Sequence, residues 1–267
     1  MTAKPAAEIT RWKDFAARVR STGQPLLRRL EEFPSSILVT GCQRSGTTMV
    51  ARLITNSDGM TRYWFGPDDE LDAALILSGR VPHQPKGRYC FQTTYLNERY
   101  YEYFDMSDSH KVIWILRNPF SVVRSMLHNW KDFALNELFD ACGTPYLTPG
   151  EYRRYRWLGV HGVSRLVRAC CAFQGKVSQL FELRARLPAG NLLILEYEDL
   201  VREREATLAA LYRFVDLPFR PEYGAEVRSS SIGLAKRLSR RERAAIADRC
   251  QGIYEQALPF RWRPQGP

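Results

Sequence analysis

No apolar run in this 267-residue chain reaches the length needed to span a bilayer, which excludes a helical integral membrane protein. The six cysteines, at 42, 90, 142, 170, 171 and 250, never take C-x-x-C spacing. That argues against a zinc knuckle or dithiol motif and for free thiols in a reducing compartment, with the vicinal Cys170-Cys171 pair packed inside a helix. The N-terminus has no apolar core of a secretion signal, so a cytoplasmic location is expected, with peripheral membrane contact left open. There is no internal repeat and no low-complexity linker. Acid is also in deficit. Asp and Glu number 29 against 39 Lys and Arg, a formal net charge of +10. Such a balance favours anionic ligands: nucleotides, sulfated or phosphorylated substrates, nucleic acid or an acidic membrane. Hydrophobic residues make up 45% of the chain, enough for an ordinary core in one large α/β domain or two small ones.

The rest of the chain is organised around Ile37 to Ile54, ILVTGCQRSGTTMVARLI. Ile37 to Thr40 is a short β-branched run and reads as a buried strand. Gly41 to Gly46 breaks it. From Thr47 the pattern turns helical, with Met49, Val50, Leu53 and Ile54 on one side. A strand, a glycine loop and a helix start make an anion-binding device, because loop amides and first-turn amides converge where the helix dipole is positive. Thr47 and Thr48 add hydroxyls. Gly41-x-x-x-x-Gly46-Thr47-Thr48 is a near miss to the nucleotide-binding P-loop. Thr47 stands where the P-loop lysine belongs, and the cation is Arg44, inside the loop. A strand–turn–helix with chance glycines is the plain alternative for this stretch taken alone.

Further along, Thr61 to Phe65 is aromatic and strand-like, and Asp68-Asp69-Glu70 opens a helix through Leu77. Residues 78–89 read as a loop and Cys90 to Thr94 as a strand, with a helical pattern through Tyr103. Lys111 to Leu116 is the clearest central strand. Pro119 suits the first turn of a helix continuing to about Trp130. Residues 131–160, rich in Pro, Gly and Tyr, read as irregular, a candidate substrate lid. His161 to Arg186 carries Leu166, Cys170, Phe173, Val177 and Leu180 at helical spacing. Leu192 to Glu196 is a buried strand, Tyr197 leads into helix ending near Asp216, and a last helix runs from about Ser239 to Tyr254. Residues 1–34 form an N-terminal helical extension, interrupted at Gly23 and Pro25 and expected to be solvated. Strands alternating with helices predict an α/β fold with a doubly wound parallel sheet in a single domain over 35–267.

Ligands of such sheets bind at the carboxyl ends of the strands. Arg44, Ser45 and Thr47 follow the first strand and Glu70 the 61–65 strand. Thr93 and Thr94 end the next, Arg117 ends 111–116, and Tyr197 follows the last. Arg117 and Ser125 form a second constellation: a guanidinium at a strand end and a hydroxyl about two turns into the following helix suit one phosphate. His110 lies on the opposite edge and reads as structural. His128 packs or caps, and His83 sits in a loop entering a strand.

These two constellations together resemble the sulfotransferases that use 3′-phosphoadenosine-5′-phosphosulfate (PAPS). Gly41-Cys42-Gln43-Arg44-Ser45-Gly46-Thr47-Thr48 is similar to their 5′-phosphosulfate loop. The segment from Lys111 to Ser125 is similar to their 3′-phosphate motif, with the family's arginine and serine at Arg117 and Ser125. Leu195 to Leu200 looks like their Tyr-Glu-Asp-Leu segment. The resemblance implies a P-loop-like sulfotransferase fold and a donor site at Gln43, Arg44, Ser45, Gly46, Thr47, Thr48, Arg117, Ser125 and Tyr197. It implies adenosine 3′,5′-bisphosphate as product, no metal and no nucleic-acid partner, with catalysis at Arg44 and Glu70. The acceptor would be a hydroxyl, or less readily an amine, of a small molecule, carbohydrate or lipid. Four departures accompany it. Arg44 replaces the lysine of the cytosolic branch, as in carbohydrate and bacterial members. Met49 stands where cytosolic members stack a tryptophan on adenine. Phe91 to Thr94 has no lysine where many bacterial members carry one. The late Arg-Lys-Gly loop is absent, leaving Ser230, Ser231 and Lys236 as substitutes. Glu70 is the expected general base, with His83 its rival. A P-loop nucleotide kinase would need a Walker lysine and a strand-end Asp where Thr47 and Arg117 stand. A nucleic-acid-binding protein would explain the charge but not the paired phosphate motifs.

Overall fold

The computed structural model describes residues 9–227 and 233–263, with no account of the Glu226 and Leu234 side chains. Four strands, β1 (Ile37–Gly41), β2 (Cys90–Gln92), β3 (Lys111–Leu116) and β4 (Leu192–Glu196), form one sheet in the order β2-β1-β3-β4. All pairings are parallel: Ile37 lies opposite Cys90 and Lys111, and Leu116 opposite Glu196. Alternate side chains take opposite faces. Leu38, Phe91, Val112, Trp114 and Ile194 enter a large core. Ile37, Val39, Ile113, Ile115, Leu193 and Leu195 enter a smaller one. Burial on both faces is why these strands read as unbroken apolar runs.

The described helices are α1 (Trp12–Arg18), α2 (Thr47–Thr55), α3 (Asp69–Leu77), α4 (Pro119–His128), α5 (Asp132–Leu138), α6 (Pro149–Leu158), α7 (Arg165–Arg186), α8 (Tyr197–Arg202), α9 (Arg204–Phe214) and α10 (Arg240–Ala257). α2, α8 and α9 supply Val50, Leu53, Leu200 and Leu211 to the smaller core. α3, α4, α7 and α10 cover the other face, with Phe173, Val177 and Leu180 of α7 fully buried. The sheet is therefore doubly wound. From β1 the chain moves outward to β2, then returns to β3 on the other side of β1. That reversal opens a crevice at the carboxyl ends of β1 and β3. All six cysteines are free and buried, Cys170 and Cys171 within α7.

Three expectations are corrected. The segment 61–65 is not a strand, so the sheet has four strands rather than five. Only an isolated bridge precedes it, Met60 to Arg88, and the amides of Phe65 and Gly66 donate to the Asp72 carboxylate at 2.8 Å each. Its aromatic character serves packing: the Tyr63 ring lies 4.8 Å from that of Phe91. Residues 131–160 are not an irregular lid. They form α5, a π-helical turn (Phe139–Gly143) and α6. Pro149 occupies the first turn of α6, where proline starts a helix rather than breaking one, and Thr148 with Glu151 closes a capping box over it. Lastly, the N-terminal segment is not a solvated flank. Phe15, Val19, Leu26, Leu30 and Phe33 are buried in the large core.

Candidate active site

β1 ends on Gly41, whose φ is +143°; a Cβ there would meet the Ile115 carbonyl oxygen of β3 at 2.5 Å. The glycine lets the chain leave the sheet flush against its neighbour. Left-handed backbone at Arg44 (φ +73°) and Gly46 (φ +102°) then curls the loop, the kind of alternation that turns amides to one side. A Cβ on Gly46 would stand 2.5 Å from Cδ2 of Tyr197. α2 begins at Thr47, so its first-turn amides, which lack intrahelical acceptors, face the same point.

Above the loop lies a cleft of about 1040 Å³. Gln43, Arg44, Gly46, Thr47, Thr48, Glu70, Arg117 and Ser125 all line it. Ser45 and Tyr197 do not. Ser45 is fully buried behind the loop, its amide donating to the Cys42 carbonyl at 3.1 Å. Tyr197 lies beneath, with the Arg117 guanidinium 4.0 Å from its ring centroid. Arg117 Nη1 donates to the Arg44 carbonyl at 3.1 Å, and Arg44 Nε donates to Ser125 Oγ at 3.0 Å. The two constellations are thus one continuous surface. Burial pushes the Arg117 guanidinium down, while Tyr197 and Glu198 hold it up. α4 also brings Ser121 and Arg124 to this wall. Gln43 Nε2 is held by the Thr94 carbonyl at 3.0 Å and Asn97 Oδ1 at 2.7 Å.

Glu70 sits in the first turn of α3, across the cleft. Its Oε2 accepts from Gln92 Nε2 at 2.8 Å and its Oε1 from the Thr94 hydroxyl. Gln92 also reaches Thr47 Oγ1 at 3.2 Å, tying the carboxylate to the loop. Burial pushes the Glu70 carboxyl up to about 8; the Thr94 hydrogen bond opposes this, and the charges of Asp68 and Asp69 add to it. The other acids nearby have structural partners. Asp68 accepts from the Leu71 amide at 3.1 Å as helix cap and from Trp12 Nε1 at 2.8 Å. Asp69 takes Arg52 bidentately, at 2.8 and 3.1 Å. Asp72 holds the turn at Phe65 and Gly66.

His83 is not among the residues lining this cleft. It shares a separate depression with Arg28, Arg29 and Glu32, its Nε2 lying 3.3 Å from the Tyr89 hydroxyl. His110 pairs with Glu31 at 3.2 Å and His128 with Glu242 at 3.3 Å, both structural as expected. Lys236 is exposed in a short 3-10 turn, and Ser230 and Ser231 lie outside the described residues.

The sequence reading missed Lys176. It is 1% exposed on α7, beneath the site, and its Nζ donates to the Thr94 carbonyl at 3.4 Å. The segment that has no lysine of its own therefore receives one from α7. Burial pushes this ammonium down and the Glu70 charge raises it. The signal was available: Lys176 falls on the apolar face of α7, between Phe173 and Leu180. Also missed was the outer wall of the cleft, where Arg11, Trp12 and Lys13 at the start of α1 and Phe133 and Leu138 of α5 contribute.

The fold matches solved structures of the same architecture. A sulfotransferase domain of the Synechococcus PCC 7002 olefin synthase superposes with a TM-score of 0.52 at 11% identity, over 87% of this chain and 97% of that one. A sulfotransferase from Alicyclobacillus acidocaldarius gives 0.50 at 13% identity, over 85% and 96%. No curated protein sequence matches the chain. The sequence profile described as "Sulfotransferase family" matches residues 73–221, which hold Arg117, Ser125 and Tyr197 and more than half of the chain. With this fold and that match, the chain belongs to the sulfotransferase family.

Proposed function

We propose that the protein transfers a sulfuryl group from PAPS to a hydroxyl, with an amine as second choice, of a small-molecule, carbohydrate or lipid acceptor in the cytoplasm. The observation that carries this reading is the single cleft shared by the glycine loop, the linked Arg117–Arg44–Ser125 surface and, across from them, the Glu70 carboxylate. A donor with two phosphate groups needs two anion sites on one wall. The loop amides with Thr47 and Thr48 suit the 5′-phosphosulfate, and Arg117 with Ser125 suits the 3′-phosphate. Tyr197 acts through Arg117, as a platform under the guanidinium. Ser45 acts by packing behind the loop.

In the reaction the acceptor oxygen attacks sulfur in line, forming the new S–O bond. The bond from sulfur to the bridging phosphate oxygen breaks, and the electron pair stays on that oxygen. Arg44 and the loop amides meet the charge that grows there. The acceptor proton passes to Glu70, which Gln92 and Thr94 hold in place. A carboxyl pushed up to about 8 is a stronger base than an ordinary carboxylate and better matched to a sugar or alkyl hydroxyl.

The direct test incubates the protein with PAPS carrying labelled sulfate and a panel of hydroxylated metabolites, sugars and glycolipids. The expected outcome is a labelled sulfate ester formed in equal amount with adenosine 3′,5′-bisphosphate. Transfer of phosphate from ATP to the same panel, with none of sulfate, would instead identify a kinase.

A further inference from the structure

α6 has no buried residue, and its C-terminal end carries Trp157 at 89% and Leu158 at 62% exposure. Tyr152 is also exposed. Adjacent large apolar side chains this open, rimmed by polar residues, mark an interaction site. The helix itself is firmly mounted. Thr148 and Glu151 cap its start, Glu151 pairs with Arg249 of α10 at 2.5 Å, and Tyr155 donates to Asp140 at 2.9 Å while its ring meets Phe139 edge-on. Glu151 and Tyr155, one turn apart, define the inner face. Arg153 and Trp157, also one turn apart, define the outer one. The tip is therefore held rigidly outward.

The exposed, unpaired charge on the helix is of one sign. Arg153, Arg154 and Arg156 are exposed and make no ion pair among the described residues. The one acidic residue of the helix, Glu151, is already engaged by Arg249. A projecting indole and leucine framed by three guanidinium groups match the interface of an anionic bilayer. Tryptophan settles at the headgroup level, apolar side chains enter the acyl boundary, and arginines take lipid phosphates. A protein partner would need a pocket for this convex tip, whereas a lipid surface yields to it.

We infer that the α6 tip is a membrane-docking element selective for anionic lipid, with Trp157 and Leu158 inserted and Arg153, Arg154 and Arg156 on the phosphates. This does not depend on the reaction proposed above. It places the enzyme on the surface of an acidic bilayer.

The test is co-sedimentation with vesicles of phosphatidylcholine and phosphatidylglycerol at 7:3, against vesicles of phosphatidylcholine alone. The protein should bind the anionic vesicles only, and less as salt is raised. Trp157→Ala should weaken partitioning by roughly tenfold. The triple variant Arg153→Gln/Arg154→Gln/Arg156→Gln should weaken it by about 10²-fold. Both should keep the wild-type melting temperature, because these side chains have no packing partners to lose. A control triple, Arg202→Gln/Arg204→Gln/Arg213→Gln, removes the same charge from exposed positions on α8 and α9. It should bind nearly as wild type. Failure of the wild type to bind anionic vesicles would overturn the inference. So would equal loss in the control, retention of binding by Trp157→Ala, or a solution dimer that Trp157→Ala dissolves.

Discussion

Glu70 is set apart from its neighbours by what its carboxylate touches. Asp68, Asp69 and Asp72 are occupied by a helix amide and an indole, by Arg52, and by a turn. Among the described residues, Glu70 accepts from the neutral donors Gln92 and Thr94, and it lines the cleft. As the base it must be ionised, so turnover should rise with pH through about 8 and level above it. Glu70→Gln should cost about 10²–10⁴-fold in kcat and abolish that limb. The same group makes a stability statement. Its folded-state value lies above the ordinary carboxylate value, so the folded protein holds this proton while the unfolded chain has released it. Its contribution is complete below the ordinary value and is lost as pH rises towards about 8. Glu70→Gln should therefore melt higher than wild type at pH 8, and the gain should shrink towards pH 5, as followed by calorimetry. Arg44→Ala should lower kcat by about 10²-fold and weaken bisphosphate binding less, since the charge it meets is largest in the transition state. Near wild-type turnover would assign that charge to the loop amides alone.

Among the elements, those whose signal is local were legible in the sequence. β1, β3 and β4 are apolar runs buried on both faces, and α7 repeats its apolar residues at helical spacing. The aromatic run at 61–65 was misleading because hydrophobicity specifies burial and not a ladder. Tyr63 is buried against Phe91 of β2 without joining the sheet. The region 131–160 was misleading because proline is ambiguous until its position in a helix is known, and the capping box at Thr148 settles it. Contacts that join distant elements had no local signal. The C-terminal lock is one. Arg261 Nε meets Glu196 at 2.8 Å and Asp199 at 2.9 Å, Tyr254 donates to Glu196, and the Trp262 amide donates to the Ile194 carbonyl at 2.8 Å. Glu196 is buried at the end of β4, next to Tyr197 under the site. Arg261→Met leaves that carboxylate without its cation and should destabilise by about 3–5 kcal/mol, read as a lower urea midpoint at unchanged slope. A surface-like change below 1 kcal/mol would mean that Tyr254 alone satisfies Glu196.

At the scale of the whole molecule, the strand order places the glycine loop, Arg117 and Glu70 on one crevice although they come from separate parts of the chain. Motif order made the wall of the glycine loop and Arg117 legible, because each half is a strand end running into a helix. The outer wall was not, since α1 and α5 reach it only through tertiary packing, as Lys176 reaches Thr94 from beneath. In the proposed reaction this crevice reads two phosphate groups on one adenosine. Titration calorimetry with adenosine 3′,5′-bisphosphate, 5′-AMP and ATP tests it most directly. The bisphosphate should bind tightest and raise the melting temperature, and Arg117→Ala with Ser125→Ala should reduce its affinity to that of 5′-AMP. Binding of 5′-AMP or ATP as tight as the bisphosphate, unchanged in that double variant, would contradict it.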